Sequence, residues 1–157
     1  MKVIIAAVAH RAPDWAEAGF AEYQGRVRDG VSVLCHRVQP SRGGRGQPVS
    51  QRLADEARRL RKLLPARILT VALDSRGEPM DTRQLAGQLR GAMLDRVDLA
   101  YLIGGADGLD ANLIDEADVV WSLGKTTYPH HLVRIMVAEQ LYRAWTTLHN
   151  LPYHHGH

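Results

Sequence analysis

Apolar residues gather in five short runs along the chain, and each run is closed by polar, glycine or proline residues. Runs of this length, bounded by turn-forming residues, are typical of buried β-strands. The five predicted strands cover residues 3–9, 31–38, 68–73, 99–103 and 119–123. We therefore expect a sheet of five buried strands.

The segments between these strands have apolar residues at helical spacing. Three helices are predicted between the first four strands, a short helix follows Asp110, and a long helix comes last. This alternation predicts the α/β class, with a mostly parallel sheet of five to six strands flanked by helices. The apolar helix positions are Trp15, Phe20, Tyr23 and Val27; Leu53, Ala57, Leu60 and Leu64; Leu85, Leu89 and Met93; and Val133, Val137, Leu141, Ala144 and Leu148.

The composition agrees with one packed domain over residues 1–157. Of the 157 residues, 45% are hydrophobic and 24% are charged, which excludes a disordered or fibrous protein. Cys35 is the one cysteine of the sequence, so a secreted domain built on disulfides is excluded and a cytoplasmic protein is favoured. The first apolar run is too short to cross a bilayer, and we expect no membrane association.

Three glycine- and hydroxyl-rich loops come directly after predicted strands, at residues 73–78, 103–109 and 123–129. Ligands of parallel sheets bind at the carboxyl ends of the strands, so these loops form a candidate site for one ligand. Gly104, Gly105 and Gly108 allow the backbone to approach a phosphate, a carboxylate or an adenine edge. The alternative is a tight turn without a ligand, because glycine is the usual turn residue.

The sequence signatures of several other chemistries are missing. The spacing of Gly104, Gly105 and Gly108 departs from the dinucleotide fingerprint, which disfavours a nicotinamide-dependent enzyme. Gly124-Lys125-Thr126 lacks the upstream glycine of a P-loop, which disfavours a nucleoside-triphosphate enzyme. The eight histidines are accompanied by no H-E-x-x-H pattern and no cysteine cluster, so we predict no metal at His130, His131, His154, His155 or His157.

Positive charge is concentrated in residues 37–67, the basic stretch. Nine positive residues against two acidic ones leave a net charge of +7 there, whereas the whole chain carries +3. A solvated helix face and a surface for a phosphate backbone both explain such clustering. The Gly/Arg-rich residues 41–46 predict a mobile loop within it. The positive residues are Arg37, Arg42, Arg45, Arg52, Arg58, Arg59, Arg61, Lys62 and Arg67.

The final helix carries charged residues between its apolar positions. Glu139 and Arg143 are four residues apart, which is the spacing of a structural ion pair on one helix face. Arg134 and Arg143 are also candidates to hold a phosphate or to polarise a substrate carbonyl, and both interpretations remain open. The chain beyond Asn150 is either a frayed end or, as the pair Pro152-Tyr153 favours, a partly docked one.

Three groups of residues, near the start, in the second loop, and from the third loop to the end, form a pattern that covers the whole chain. They are Pro13, Asp14, Trp15, Gly19, Phe20, Glu22 and Tyr23; Leu102, Ile103, Gly104, Gly105, Gly108 and Leu109; and Ser122, Leu123, Thr126, Pro129, His130, Leu132, Arg134, Glu139, Leu141, Tyr142, Arg143, Ala144, Pro152, Tyr153 and His154. In this pattern the sequence closely resembles the ribosomal large subunit methyltransferase H family, of the SPOUT class of S-adenosylmethionine-dependent RNA methyltransferases.

The resemblance implies an enzyme that methylates N3 of pseudouridine-1915 in 23S rRNA of the assembled ribosome. It implies S-adenosylmethionine as the methyl donor, no metal, a homodimer, and a trefoil knot in the C-terminal half. One alternative is a SPOUT methyltransferase that acts on another RNA such as tRNA. The other is a non-catalytic, ribosome-associated RNA-binding factor.

The resemblance also implies roles for individual residues. Arg143 is the candidate donor to the carbonyl oxygens of the base, His154 the proton acceptor, and Tyr153 the stacking or hydrogen-bonding partner. His155 stands where the family usually has arginine or lysine, which replaces a fixed charge by a titratable one. The methyl donor is expected in the three strand-end loops, at Leu73, Gly104, Gly105, Leu123, Gly124, Lys125, Thr126, Thr127 and Tyr128.

The final helix is the expected dimer interface. Trp145 and Leu148 are the residues that we predict at its centre. Burial of these two side chains within one subunit is the alternative.

Overall fold

The structure of the chain, a computed structural model, describes residues 1–42 and 46–154. In these residues five strands alternate with five helices, and a 3₁₀ turn follows the last helix. The strands are β1 (Lys2–Val8), β2 (Ser32–Val38), β3 (Ile68–Pro79), β4 (Asp98–Ile103) and β5 (Val119–Ser122). The helices are α1 (Asp14–Gln24), α2 (Val49–Arg61), α3 (Thr82–Asp95), α4 (Ala111–Asp115) and α5 (His130–Leu148), and the 3₁₀ turn is Pro152–His154.

The strands form one sheet in the order β2-β1-β4-β3-β5, and all four pairings between neighbours are parallel. Parallel sheets are covered by helices on both faces, which is why their strands read as continuous apolar runs. The alternate residues of β1 show this directly. Val3 and Ile5 belong to one core cluster, and Ile4 and Ala6 belong to the other. The predicted α/β class and parallel sheet are confirmed.

The two core clusters divide the helices between the faces of the sheet. On one face the core includes Phe20 of α1, Leu89 of α3 and Leu141 of α5. On the other face it includes Leu60 of α2 and Leu113 of α4. Helix α5 packs against both α1 and α3, and it therefore forms the centre of its layer.

Strand β3 is longer than the sequence predicts. Its expected end was residue 73, but the strand continues to Pro79. Leu73 and Glu78 both pair with Trp121, so the residues between them bulge out of the pairing with β5. The predicted first loop is therefore a bulge inside a strand, because the chain returns to the same neighbour after four residues.

The structure also decides where Trp145 lies. Its side chain is only 5% exposed and its indole N–H donates to the Arg28 carbonyl oxygen at 3.2 Å. The prediction of Trp145 at a dimer interface is therefore wrong, and the alternative, burial within one subunit, holds. Of the predicted loop at residues 41–46, residues 43–45 lie outside the described residues.

Two glycine-to-alanine substitutions are expected to change stability in opposite directions. A Cβ on Gly77, in the bulge, would lie 2.5 Å from the Val120 carbonyl oxygen of β5. Gly77→Ala should therefore lower the free energy of unfolding by about 1–3 kcal/mol, as overpacking does. Gly87 lies in α3, and a Cβ there would have nothing within 4 Å. Gly87→Ala should therefore raise the free energy of unfolding by about 0.5–1 kcal/mol. Urea denaturation measures both, and equal shifts would contradict the close approach at Gly77.

Candidate functional site

A cavity of about 480 Å³ lies at the carboxyl ends of three neighbouring strands. β4, β3 and β5 are adjacent in the sheet, so the segments that follow them reach the same edge. All three glycine- and hydroxyl-rich loops contribute to its walls. Lys125 does not line it. The predicted donor-site residues that do are Leu73, Gly104, Gly105, Leu123, Gly124, Thr126, Thr127 and Tyr128.

The loop after β4 is a tight glycine turn. Gly105 and Gly108 form an isolated bridge, and the Gly108 N–H donates to the Gly105 carbonyl oxygen at 3.1 Å. Gly108 has φ of +83°, a conformation that side chains disfavour. A Cβ on Gly104 would lie 2.3 Å from the Gly108 carbonyl carbon. The tight turn considered as an alternative is therefore present, and it also forms a wall of the cavity.

A charged contact from α2 reaches this glycine turn. Arg52 donates to the Asp107 carboxylate at 2.9 Å and to the Gln47 carbonyl oxygen at 3.2 Å. The pair is partly exposed, so its energetic contribution is small. It nevertheless joins the start of α2, in the basic stretch, to the loop that lines the cavity.

The other two walls are also held by local hydrogen bonds. In the bulge, a hydrogen bond from the Arg76 guanidinium lowers the pKa of Asp74, which lines the cavity and stays ionised. After β5, the Ser122 hydroxyl donates to the Gly124 carbonyl oxygen at 3.2 Å and accepts from the Gly124 N–H at 3.1 Å. Gly124 has φ of +107°, which a side chain would strain. These bonds fix the loops where they turn toward the cavity.

Sequence reasoning placed Pro129 in the third loop but assigned no residue of α5 to the cavity. His130 and Val133 of α5 line it together with Pro129. His130 and His131 approach each other through their Nε2 atoms at 3.2 Å. Burial lowers the pKa of both histidines, and the pair is therefore neutral near pH 7. Their position directly after the third loop was the signal that could have identified them.

Two of the three residues predicted to catalyse the reaction, Arg143 and Tyr153, do not line this cavity. Arg143 donates to the Glu139 carboxylate at 2.7 Å and 3.0 Å, so the structural ion pair is confirmed. The Tyr153 hydroxyl donates to the same carboxylate oxygen at 3.2 Å, and the Arg143 guanidinium lies 4.9 Å from the centre of the Tyr153 ring. The catalytic roles of Arg143, Tyr153 and His154 stay predictions. For His154 the structure describes the backbone, and residues 155–157, with His155, lie outside the described part.

Tyr153 is docked against α5. Its ring centre is 4.6 Å from that of Tyr142, and the docking predicted from the pair Pro152-Tyr153 is confirmed to this residue. Burial raises the pKa of Tyr153 to about 12, and the Glu139 carboxylate contributes further. The phenol is therefore protonated at neutral pH and serves as a hydrogen-bond donor.

Arg134 does not reach the cavity that the loops form. Its side chain is 3% exposed and donates to the Ala16 carbonyl oxygen at 3.2 Å, beneath α1. Its guanidinium also lies 5.0 Å from the centre of the Phe20 ring and 3.5 Å from the Glu17 carboxylate. The proposed contact with a substrate phosphate or carbonyl is therefore wrong for Arg134, because the group is committed to packing α5 against α1.

The basic stretch is partly neutralised by acidic residues. Within residues 1–42 and 46–154, five of its arginines form ion pairs, which supports the interpretation as a solvated, ion-paired face. Arg42, Lys62 and Arg67 are exposed and remain candidates for phosphate contacts. The pairs are Arg37–Glu17, Arg52–Asp107, Arg58–Asp55, Arg59–Asp55 and Arg61–Glu116.

No group of three or more His, Cys, Asp or Glu side chains in the described residues could hold a metal ion. Over the same residues, none of the helices has both the length and the apolar character needed to span a bilayer.

Known proteins match this chain over nearly its full length. A family model described as predicted SPOUT methyltransferase matches residues 1–154. The ribosomal RNA large subunit methyltransferase H proteins of Paraburkholderia xenovorans and Nitrosospira multiformis are each 44% identical to it over 154 residues, which cover 98% of this chain and 99% of theirs.

Solved structures share the fold at lower identity. A probable methylase family protein from Haemophilus influenzae superposes with a TM-score of 0.58 at 13% identity, covering 97% of this chain and 69% of its own. A probable methyltransferase from Bordetella pertussis has a TM-score of 0.57 at 18% identity, covering 92% of this chain and 93% of its own. By the sequence matches, this chain belongs to the SPOUT methyltransferases and, within them, to the ribosomal RNA large subunit methyltransferase H family.

Proposed function

We propose that this protein transfers a methyl group from S-adenosylmethionine to N3 of a pseudouridine in the 23S rRNA of the ribosome. The observation that carries the proposal is the convergence of the bulge in β3 and of the loops after β4 and β5 on one cavity, in a chain that belongs to a methyltransferase family. An rRNA substrate implies a cytoplasmic enzyme. We further propose that residues 1–157 form one SPOUT domain with a C-terminal trefoil knot.

The cavity fits a sulfonium nucleoside in size and in wall chemistry. Its volume of about 480 Å³ lies within the range of small-molecule sites. Leu73, Ile103 and Leu123 offer apolar contacts for an adenine ring. The backbones of the glycine turn and of residues 124–128 would supply polar contacts to the nucleoside. S-adenosylmethionine supplies an electrophilic methyl carbon, and this chemistry requires no metal.

Glu139, Arg143 and Tyr153, which we call the Glu139 cluster, would serve the acceptor base together with His154. Arg143 is a fixed cation whose remaining N–H groups would donate to the carbonyl oxygens that flank N3, favouring loss of the imide proton. Tyr153 would stack on the base or donate to it, and its raised pKa keeps the donor proton in place. His154, the next residue along the chain, would accept the proton from N3.

A second copy of the chain would cover the exposed apolar face formed by α1 and α5. Trp15 is 59% exposed and Leu132 is 36% exposed. Trp15 precedes Gly19 by one helical turn, and Leu132 precedes Ile135 by one turn. A Cβ on Gly19 would lie 3.0 Å from an Ile135 side-chain atom, and the Arg134 guanidinium donates to the Ala16 carbonyl oxygen, toward the start of both helices. Both side chains therefore lie at the same end of this helix pair. We propose this α1–α5 face, in place of Trp145, as the dimer interface, with the site shared across it.

The proposed reaction is tested by methyl transfer to defined RNAs. Ribosomes from cells that lack this protein should accept tritiated methyl groups from S-adenosylmethionine, and mass spectrometry should place the new methyl on a pseudouridine of 23S rRNA. Free tRNA should remain unlabelled. Labelling of tRNA alone would instead indicate a different RNA substrate, and donor binding without any transfer would indicate a non-catalytic factor.

Closing the glycine turn should be necessary for binding the donor. Gly104→Ala places a Cβ against the backbone of Gly108 and should force the turn open. We expect its affinity for S-adenosylmethionine to fall by roughly tenfold, equivalent to about 1.4 kcal/mol, as measured by calorimetry. Gly91→Ala is the matched control, because a Cβ there meets nothing within 4 Å. Unchanged affinity in Gly104→Ala would place the donor elsewhere.

The α1–α5 face is tested by introducing a charge. Leu132→Asp should raise the dimer dissociation constant by roughly tenfold or more in sedimentation analysis, because burying an unpaired carboxylate costs at least about 1.4 kcal/mol. Leu94→Asp is the control, since Leu94 is 76% exposed on α3 and belongs to another face. A dimer of Leu132→Asp as tight as wild type, or a fully active wild-type monomer, would rule out this interface.

A further inference from the structure

A second cavity, of about 540 Å³, lies directly beside the donor cavity. The two cavities share the wall formed by Trp121, Leu123 and Gly124. Two other cavities in the described part of the chain share no lining residue with the donor cavity. A transferred group must pass between two sites whose reacting atoms come within about 3.5 Å of each other. The second cavity is the one whose position satisfies this requirement.

The walls of the second cavity combine apolar surface with two polar side chains. Met80, Ile135 and Met136 offer flat apolar contacts of the kind that accept the face of a planar base. Glu139 and Gln140 are the longer polar groups. The Gln140 amide nitrogen donates to the Glu139 carboxylate at 2.6 Å, which leaves the amide oxygen free to accept a hydrogen bond.

Glu139 connects this cavity to the residues proposed for the acceptor base. One of its oxygens accepts hydrogen bonds from Arg143 and from Tyr153, and the other accepts from Gln140. Its side chain is 17% exposed, so these donors compensate a partly desolvated charge. An uracil-type imide presents an N–H between two carbonyl oxygens. A side-chain oxygen that accepts, beside the arginine and tyrosine groups that donate, would complement this N–H and these two carbonyl oxygens.

The geometry points to the second cavity as the site of the acceptor base, a uracil-type nucleobase turned out of the RNA helix. This inference rests on the proposed function and assigns a location to the nucleobase that accepts the methyl group. Enzymes that modify a base inside a helix extrude it into such a pocket and read its hydrogen-bonding edge. Gln140 and Glu139 would read the imide edge. Gly124 lines both cavities and has no side chain, so N3 of the base would approach the methyl group of the donor there.

Filling this cavity should stop transfer without affecting the donor. Met80→Trp enlarges a side chain of the second cavity that does not line the donor cavity. With ribosomes as substrate, we expect kcat/KM for methyl transfer to fall about a hundredfold, because the base is excluded or misplaced. The affinity for S-adenosylmethionine should stay within about twofold of wild type, since none of its proposed contacts changes.

Ser32→Trp is the matched control. It adds the same indole to a separate cavity, formed by Met1, Lys2, Gly30, Val31, Ser32 and Asp98 at the amino-terminal edge of the sheet. Its transfer rate should equal that of the wild type. Gln140→Leu is a second test that keeps the side-chain volume. It should raise KM for ribosomes about tenfold at unchanged donor affinity, because the bound base loses the amide oxygen that accepts from its N–H before His154 takes the proton.

The outcomes separate this inference from the proposed function. If wild type methylates ribosomes and Met80→Trp does so equally well, with its new indole shielded from acrylamide quenching, the acceptor base does not occupy this cavity. The same conclusion follows if a poorly folded Met80→Trp is accompanied by a Gln140→Leu variant with wild-type KM. If wild type binds the donor but methylates no RNA, the proposed function itself fails.

Discussion

Parallel pairing of β4, β3 and β5 is the constraint on which the site depends. Three adjacent strands that run in the same direction reach the same edge of the sheet. The direction of the strands alone therefore brings the segments at that edge together. The bulge in β3 adds a second consequence. It allows one strand to line the cavity proposed for the donor with Asp74 and Ser75 and then to return to its pairing with β5. The same strand leads to Met80, which lines the neighbouring cavity. The two cavities thus share a wall because β3 pairs with β5 both before and after the bulge.

The Glu139 cluster would allow one arginine to be half of a structural ion pair and also to take the role proposed for it toward the acceptor base. The carboxylate holds the Arg143 guanidinium in one orientation and at the same time docks Tyr153 onto α5. Fixing a cation in this way costs mobility, but it preorganises the donor for charge that develops during a reaction. The same bonds keep the chain end beside α5, in contact with the aromatic residue Tyr142.

Charge in the linear sequence proved a poor guide to charge on the surface. The basic stretch appears strongly cationic because its partners Glu17, Asp107 and Glu116 come from other parts of the chain. Arg134 differs from these exposed arginines because it is buried. The sequence made it a candidate to hold a phosphate, but its guanidinium lies beneath α1, where it donates to a backbone carbonyl and faces an aromatic ring.

The local sequence pattern determined the strands and helices of this protein, and the tertiary structure determined which distant residues contact each other. Apolar runs specified the strands, and helical periodicity specified α5, because side-chain burial repeats with the geometry of each element. The parallel class also predicts Leu73, Gly104 and Thr126 at one edge of the sheet, because parallel strands end at the same edge. The return of β3 after its bulge, the burial of Arg134 and Trp145, and the pairing of Glu139 with Tyr153 depended on contacts between distant segments. No local pattern encodes such contacts, since they arise only when the helices pack on the sheet.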